Sequence, residues 1–379
     1  MNASHSTEKR VSELDVLRGF AMLGVYIVNF VEMNALPPGE VGVYPEFHRV
    51  LDRMVEWLYL NLFNEKFYLI FVFLFGYSLS FTAVSAGKKG MNVDLTVARR
   101  MGSLMLIGVV LSGLCWWGVI LVPYAIFGLI MWSLVRLFSE RTNIAIAVLL
   151  LLVVPPIANH MKLAGTYEYA LDTAALTAMF SRGGFVNWLH LIPVQLQGIY
   201  WGFFTDGYNA QFYPGQIAYL SVLLGLFILG WYAAMRKIIT KTSNAGYVRV
   251  VILGVIAFAA TKFIDPRDTF YFHRLSQSLV MSACVILVSR SLESPVTRLF
   301  AVVGRTSFSA YALHLVVGAL IFFVFGYFQT FSYTELFLMA LATYFIAALL
   351  CWLMQRQFHS GILEMLMKRM TYGAGGRGE

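Results

Sequence analysis

The sequence predicts an all-α integral-membrane fold: a polytopic bundle of about ten transmembrane helices, with N- and C-termini both on the inside. Composition is the first indication. The 379 residues are 59% hydrophobic and only 13% charged, with mean hydropathy +0.70, whereas soluble domains are about 25% charged. The second is repetition, because apolar runs long enough to cross about 30 Å of hydrocarbon follow one another with almost no soluble-looking sequence between them. The third is the placement of charge: 20 of the 28 Lys and Arg residues fall in alternate connecting segments. By the positive-inside rule those segments face the cytoplasm.

The runs read at 13–32, 62–84, 101–120, 121–138, 143–160, 214–235, 247–264, 275–291, 306–328 and 334–354. The first opens with Asp15 and Arg18 and closes on Asn29, three strongly polar side chains in one membrane-length segment. Such residues are expensive in lipid unless partnered or functional. The third and fourth runs meet at CWWGVILVPY, which reads either as a tight turn or as the middle of one long kinked helix. One integral-membrane domain, 1–379, is expected, and the N-terminus has no cleavable signal pattern.

Two outside loops are long. In 33–61, the stretch EFHRVLDRMVEWLYLNLF sets apolar residues at helical spacing with charges opposite, the pattern of an interfacial helix. In 161–213, NWLHLIPVQLQGIYWGFF carries Pro193 among Trp, His and Gln and reads as a re-entrant or interfacial segment. Irregular backbone at that depth is tolerated only against protein or a water-filled cavity. Long outer loops on a compact bundle are where a binding site is expected.

Several chemistries are not indicated. Cys115, Cys284 and Cys351 lie inside apolar runs without CxxC or Cys/His spacing, so neither a disulfide framework nor a metal site is expected. Without a P-loop or GxGxxG, ATP-driven and dinucleotide chemistry are disfavoured. The absence of a basic soluble region argues against nucleic acid.

The residues that remain are polar groups at membrane depth. Asp15 and Arg18, at i and i+3, read either as a structural ion pair or as the wall of a cytoplasm-facing pocket, where Arg18 would meet an anionic phosphate. Asn29 reads either as an interhelical hydrogen-bonding group or as part of a site. Of the seven histidines, His48 follows the first helix among acidic neighbours, and His314 sits about two turns inside an apolar helix, where burial without a partner is costly. His190 and His273 are secondary candidates. Arg18, Arg99, Arg100 and Arg305 are the basic residues nominated to hold a nucleotide phosphate.

Asp15-x-x-Arg18-Gly19 followed by Val28-Asn29 resembles the first-helix signature of the YeiB-type bacterial inner-membrane proteins, a family of unknown function. Further motifs follow in the same order over nearly the whole chain. They are KFYLIFVFLFGYSLSF (66–81), Arg99-Arg100 ahead of a small-residue helix, Val303-Gly304-Arg305-Thr306 with Tyr311, and Phe358…Gly361-Ile362-Leu363-Glu364…Arg369-Met370-Thr371-Tyr372-Gly373. Through that family the chain is similar to transmembrane acyltransferases, including the family-three acyltransferases and heparan-α-glucosaminide N-acetyltransferase. VGRTSFSAYALH, ending in His314, resembles the Ser-Tyr…Tyr-x-x-His segment of the family-three enzymes. Two positions depart from these patterns. Asn29 stands where the family-three enzymes carry a histidine, and Val119 precedes Ile120-Leu121 where YeiB-type proteins usually carry Asp.

The resemblance implies transfer of an acyl group, foremost acetyl, from cytoplasmic acyl-CoA to an outer-face or membrane-associated acceptor such as an envelope sugar, lipid or exported metabolite. In that scheme Asn29 polarises the reacting carbonyl, His48 or His314 is the base, and Asp15 shapes the pocket in which Arg18 holds the donor. Expected partners are membrane lipids and a small-molecule or glycan acceptor, in the bacterial inner membrane; the oligomeric state, a homodimer included, stays open. The rival is a transporter or flippase in which the same polar residues line a pathway.

Overall fold

A computed structural model describes residues 3–35, 50–160, 173–204 and 214–373. Every regular element among them is helical: α1 (Ala3–Met33), α2 (Val50–Leu58), α3 (Phe67–Lys88), α4 (Val93–Leu114), α5 (Leu121–Leu137), α6 (Glu140–Leu152), α7 (Val154–His160), α8 (Thr173–Phe180), α9 (Phe185–Phe204), α10 (Pro214–Met235), α11 (Ile238–Lys241), α12 (Asn244–Ala260), α13 (Pro266–Ser291), α14 (Pro295–Arg305), α15 (Ser307–Ala319), α16 (Tyr333–Phe358) and α17 (Ile362–Tyr372). Nine spans among the described residues are long and apolar enough to cross a membrane, and α5 is an apolar helix somewhat shorter than these. All ten segments read from the sequence therefore coincide with helices of this multi-pass membrane protein. CWWGVILVPY is a turn, since α4 stops at Leu114 and α5 starts at Leu121.

Helix ends follow local chemistry. Ser139, Ser243 and Ser294 each accept a backbone N–H at an N-cap, and Ser332 with Glu335 closes a reciprocal capping box on α16. Pro295 occupies the first turn of α14, where its missing N–H costs nothing. His359 ends α16 in the left-handed region, at φ +59°.

Helix α1 is the axis of the bundle. Of its apolar window 78% is buried, against 11% for the span Asn244–Phe263, which is peripheral. Helices α3, α13, α14, α15 and α16 all pack on α1, while α10 packs on α3, α6 and α7. Lipid tails supply no hydrophobic drive between helices, so close backbone approach does the work. At the α1–α14 crossing the approach is reciprocal. A Cβ on Gly19 would lie 1.9 Å from the Phe300 carbonyl oxygen, and one on Gly304 would lie 1.8 Å from that of Asp15.

Helix α2 turns the soluble pattern inside out. Asp52 and Val55 are buried, and the Asp52 carboxylate accepts the Thr334 N–H at 3.2 Å. Val50, Leu51, Met54 and Trp57 are exposed, as suits a helix lying on the apolar edge of a bilayer. Helix α9 runs unbroken through Pro193 and is tied to the α4–α5 turn. The Trp188 indole N–H donates to the Leu114 carbonyl at 2.8 Å, and buried Gln195 accepts the Trp117 N–H at 2.8 Å.

Candidate functional site

Two polar centres lie at opposite ends of α1. Tyr26 and Asn29, three residues apart, present one face toward α15, which contributes Tyr311 and His314 at the same spacing. The Asn29 amide nitrogen lies 2.9 Å from His314 Nε2. His314 is fully buried and Asn29 is 8% exposed. With the amide N–H donating, Nε2 is the accepting nitrogen, so the ring is uncharged and carries its proton on Nδ1. Nδ1 is buried with no hydrogen-bond partner among the described residues.

Aromatic rings fix the imidazole. The Tyr26 ring lies 4.5 Å from it at 31°, and Tyr311 meets it edge-on at 5.0 Å. Both tyrosines are anchored: the Tyr26 hydroxyl donates to the Ala310 carbonyl at 2.7 Å, and the Tyr311 hydroxyl accepts the Ile120 N–H at 3.2 Å. A small cavity of ≈ 30 Å³ opens beside Asn29, lined by Val28, Phe63, Glu65, Phe67, Tyr68 and Ile120 among others. At roughly 10–15 Å³ per water it has room for about two.

Glu65 and Tyr68 were not nominated from the sequence. Glu65 sits at φ +60°, between α2 and α3, and its carboxylate pairs with Arg274 of α13. The Lys66 ammonium donates to the Leu60 carbonyl at 2.9 Å, and half-buried Glu32, three residues beyond Asn29, is within electrostatic reach of Glu65. The available signal was the Glu65-Lys66 dipeptide at the outer start of an apolar run.

At the inner end, Asp15 is 3% exposed and shared between two arginines. Its Oδ1 meets Arg18 at 3.4 Å and its Oδ2 accepts from Arg305 Nε at 3.3 Å. Next to it Arg290 makes a two-pronged pair with Glu13, both contacts at 3.0 Å. Arg290 also donates to the Thr242 and Ile239 carbonyls. A cleft of ≈ 310 Å³ lies here, lined by Glu13, Val16, Arg290, Glu293, Arg298 and Arg305 with neighbouring α13 and α14 residues.

The nominated residues therefore sort by place. Asn29 and His314 are in direct contact. Asp15, Arg18 and Arg305 meet one another, but Asp15 is 14 residues from Asn29, about 21 Å along the helix at 1.5 Å per residue. Arg99 is exposed, Arg100 lies near Arg18 and Tyr372, and neither lines the cleft. His190 is exposed on α9, and His273 Nδ1 is 3.0 Å from the Thr261 hydroxyl with its ring tilted 36° against Phe258 at 4.4 Å. His48 lies outside the described residues.

Residues 234–374 match the family described as "Protein of unknown function (DUF418)". The matched segment contains Arg298, Arg305 and His314, whereas Asp15 and Asn29 of α1 lie outside it, so both polar centres straddle its boundary. Over nearly its full length the chain is similar to the uncharacterized protein YxaH of Bacillus subtilis (strain 168): 25% identity over 391 residues, covering 97% of this chain and 95% of that protein. It is also similar to an uncharacterized 39.9 kDa protein from the amylase 3′ region of Bacillus acidopullulyticus, at 24% identity, covering 74% and 87%. The uncharacterized YeiB of Escherichia coli (strain K12) matches at 31% over 126 residues, 32% of this chain and 30% of that protein. The YeiB-type resemblance read from motif order stands on these matches.

Proposed function

We propose that this protein is a bacterial inner-membrane acyltransferase. Its substrates would be cytoplasmic acyl-CoA, foremost acetyl-CoA, and a hydroxyl or amine of an outer-face or membrane-associated acceptor. One observation carries the reading: the buried Asn29–His314 hydrogen bond beside a polar-edged cavity. Acyl transfer needs a base for the acceptor proton and a donor for the oxygen that becomes negative. His314 Nε2 has the lone pair for the first task, and the Asn29 amide N–H is placed for the second. As the acceptor attacks the thioester carbon, its proton moves to Nε2 and the amide N–H turns from the ring to the thioester oxygen; the carbon–sulfur bond then breaks and Nε2–H returns the proton to the departing CoA thiolate, leaving acylated acceptor and free CoA. Tyr26 and Tyr311 hold the ring so that only Nε2 faces this exchange. Arg305 stands at the inner end for the donor phosphates, in the place the resemblance gives to Arg18; both pair with Asp15, but Arg305 is the more exposed and lines the cleft, which Arg18 does not.

The test uses full-length protein in detergent with radiolabelled acetyl-CoA and envelope sugars and lipids as acceptors. Label transfer by the wild type, falling at least about 100-fold in His314→Ala, is the expected result. Absence of both label transfer and CoA binding overturns the proposal. A loss in His48→Ala with His314→Ala unaffected would move the base to the outer loop. A transporter is the second reading, favoured by the Glu65–Arg274 pair and the nearby Glu32 carboxylate at membrane depth. Solute accumulation in proteoliposomes without label transfer would select it.

A further inference from the structure

We infer that the cleft between the inner ends of α1, α13 and α14 is a phosphate-binding site, with Arg298 and Arg305 as its ligands. The phosphate chemistry rests on the cleft alone. The identity of the ligand, the phosphates of CoA, rests on the acyl-transfer reading.

Inner-face arginines are common because they set topology, and that explains their side of the membrane but not their convergence on one concavity. Three arginines line this cleft, and they are not equivalent. Arg290 is built in: its Nε and Nη2 hold Glu13, and its remaining donors reach Thr242, Ile239 and Asn244. It is a wall, already neutralised. Arg305 uses only Nε on Asp15, and its side chain is 53% exposed. That leaves both terminal nitrogens for the two-pronged grip on phosphate that guanidinium geometry favours. Arg298 is exposed, and its guanidinium has no hydrogen bond or ion pair among the described residues. It is seven residues before Arg305 on α14, hence two turns away on the same face.

The rest of the lining narrows the ligand. Val16, Ala301 and Val302 give an apolar floor. Glu293 also lines the cleft and makes no ion pair among the described residues. A simple polyanion would be repelled there. A ligand with phosphate at one end and hydrogen-bond donors at the other suits Arg298–Arg305 and Glu293 together. The ribose and adenine of CoA supply those donors, and so does the amine of a phosphatidylethanolamine headgroup.

The experiment measures equilibrium binding of free CoA to full-length protein in detergent. In parallel, native mass spectrometry follows phosphatidylethanolamine retained from a defined lipid mixture. Variants are Arg298→Ala, Arg298→Lys and Arg305→Lys, with Arg249→Ala as a control for loss of one exposed inner-face charge outside the cleft. Expected is CoA binding by the wild type, unchanged in the control, weakened at least tenfold in Arg298→Ala and less so in both lysine variants. Loss of retained lipid in Arg298→Ala, with no CoA binding by any form, keeps the phosphate site and assigns it to lipid. CoA affinity and lipid retention both within twofold of wild type in Arg298→Ala overturn the inference. Acetyl transfer by that same variant would leave the acyltransferase reading standing. Arg298 is exposed and unpaired, so its removal should not perturb folding, and a monodisperse elution profile checks this.

Discussion

Replacing Asn29 by Leu isolates what the buried amide does. The substitution nearly conserves volume but takes from His314 the partner of Nε2, in a side chain with no exposed surface and with Nδ1 already lacking a geometrically sound bond. Leaving a buried acceptor unsatisfied costs about 1–3 kcal/mol. Ordinary interhelical hydrogen bonds in membranes average only about 0.6 kcal/mol, so a loss above about 1 kcal/mol reports an orphaned group rather than a missing bond. His314→Leu should cost less, about 1 kcal/mol or below, because the Asn29 amide edges a cavity with room for about two waters. The double variant removes both polar groups and should fall within about 0.5 kcal/mol of wild type or exceed it, since replacing both partners by apolar groups is nearly neutral. Unfolding by SDS in mixed micelles measures all four forms, and label transfer is read in parallel. Stability recovered in the double variant with activity lost in all three would show that the pair is kept for chemistry. Additive losses in the double variant would refute the argument, because the two side chains would then not depend on each other.

Three further outcomes follow from the geometry. Gly304→Ala places a methyl 1.8 Å from the Asp15 carbonyl oxygen and should cost about 1–3 kcal/mol or abolish folding; Gly102→Ala, with nothing within 4 Å, should be neutral or stabilise by up to about 1 kcal/mol, both read by fluorescence-detected size exclusion. The Glu364 carboxylate caps α15, accepting the Phe308 and Ser309 N–H groups at 2.8 and 3.2 Å and the Ser309 hydroxyl at 2.5 Å; Glu364→Ala should cost about 1–2 kcal/mol, with faster amide exchange confined to the first turns of α15. A green fluorescent protein fused to the C-terminus should fluoresce and an alkaline phosphatase fused there should stay inactive, as the inside location expected from Lys and Arg placement requires.

The fold was legible because the signals for a membrane bundle are coarse and redundant. Apolar length gave the spans, which needs no side-chain detail. Pairing was partly legible. Asp15 and Arg18 are neighbours by helical spacing, and Asn29 and His314 were each anomalous in an apolar run, but nothing in the sequence says that positions 285 residues apart share a hydrogen bond. That depends on α1 and α15 packing side by side. The Arg305–Asp15 contact was hidden for the same reason, since it needs Gly19 and Gly304 to bring two backbones together. Glu65 was missed because a charge at the end of a run reads as solvated; its left-handed backbone and its partner on α13 are visible only in three dimensions.

Helix α1 also acts as a ruler. Val16 lines the inner cleft and Asn29 the outer cavity. Both ride on one unbroken helix, 13 residues apart, or about 20 Å at 1.5 Å per residue. The two hollows have no lining residue in common, and the glycine crossing with α14 fixes the helix lengthwise. A molecule anchored by its phosphate at one end can present a reacting carbon at the other only through a thin, extended tether of matching reach. On the acyl-transfer proposal, reach becomes a selection rule in its own right: a donor with the right head and the right acyl group but a shortened tether would occupy the protein and never react.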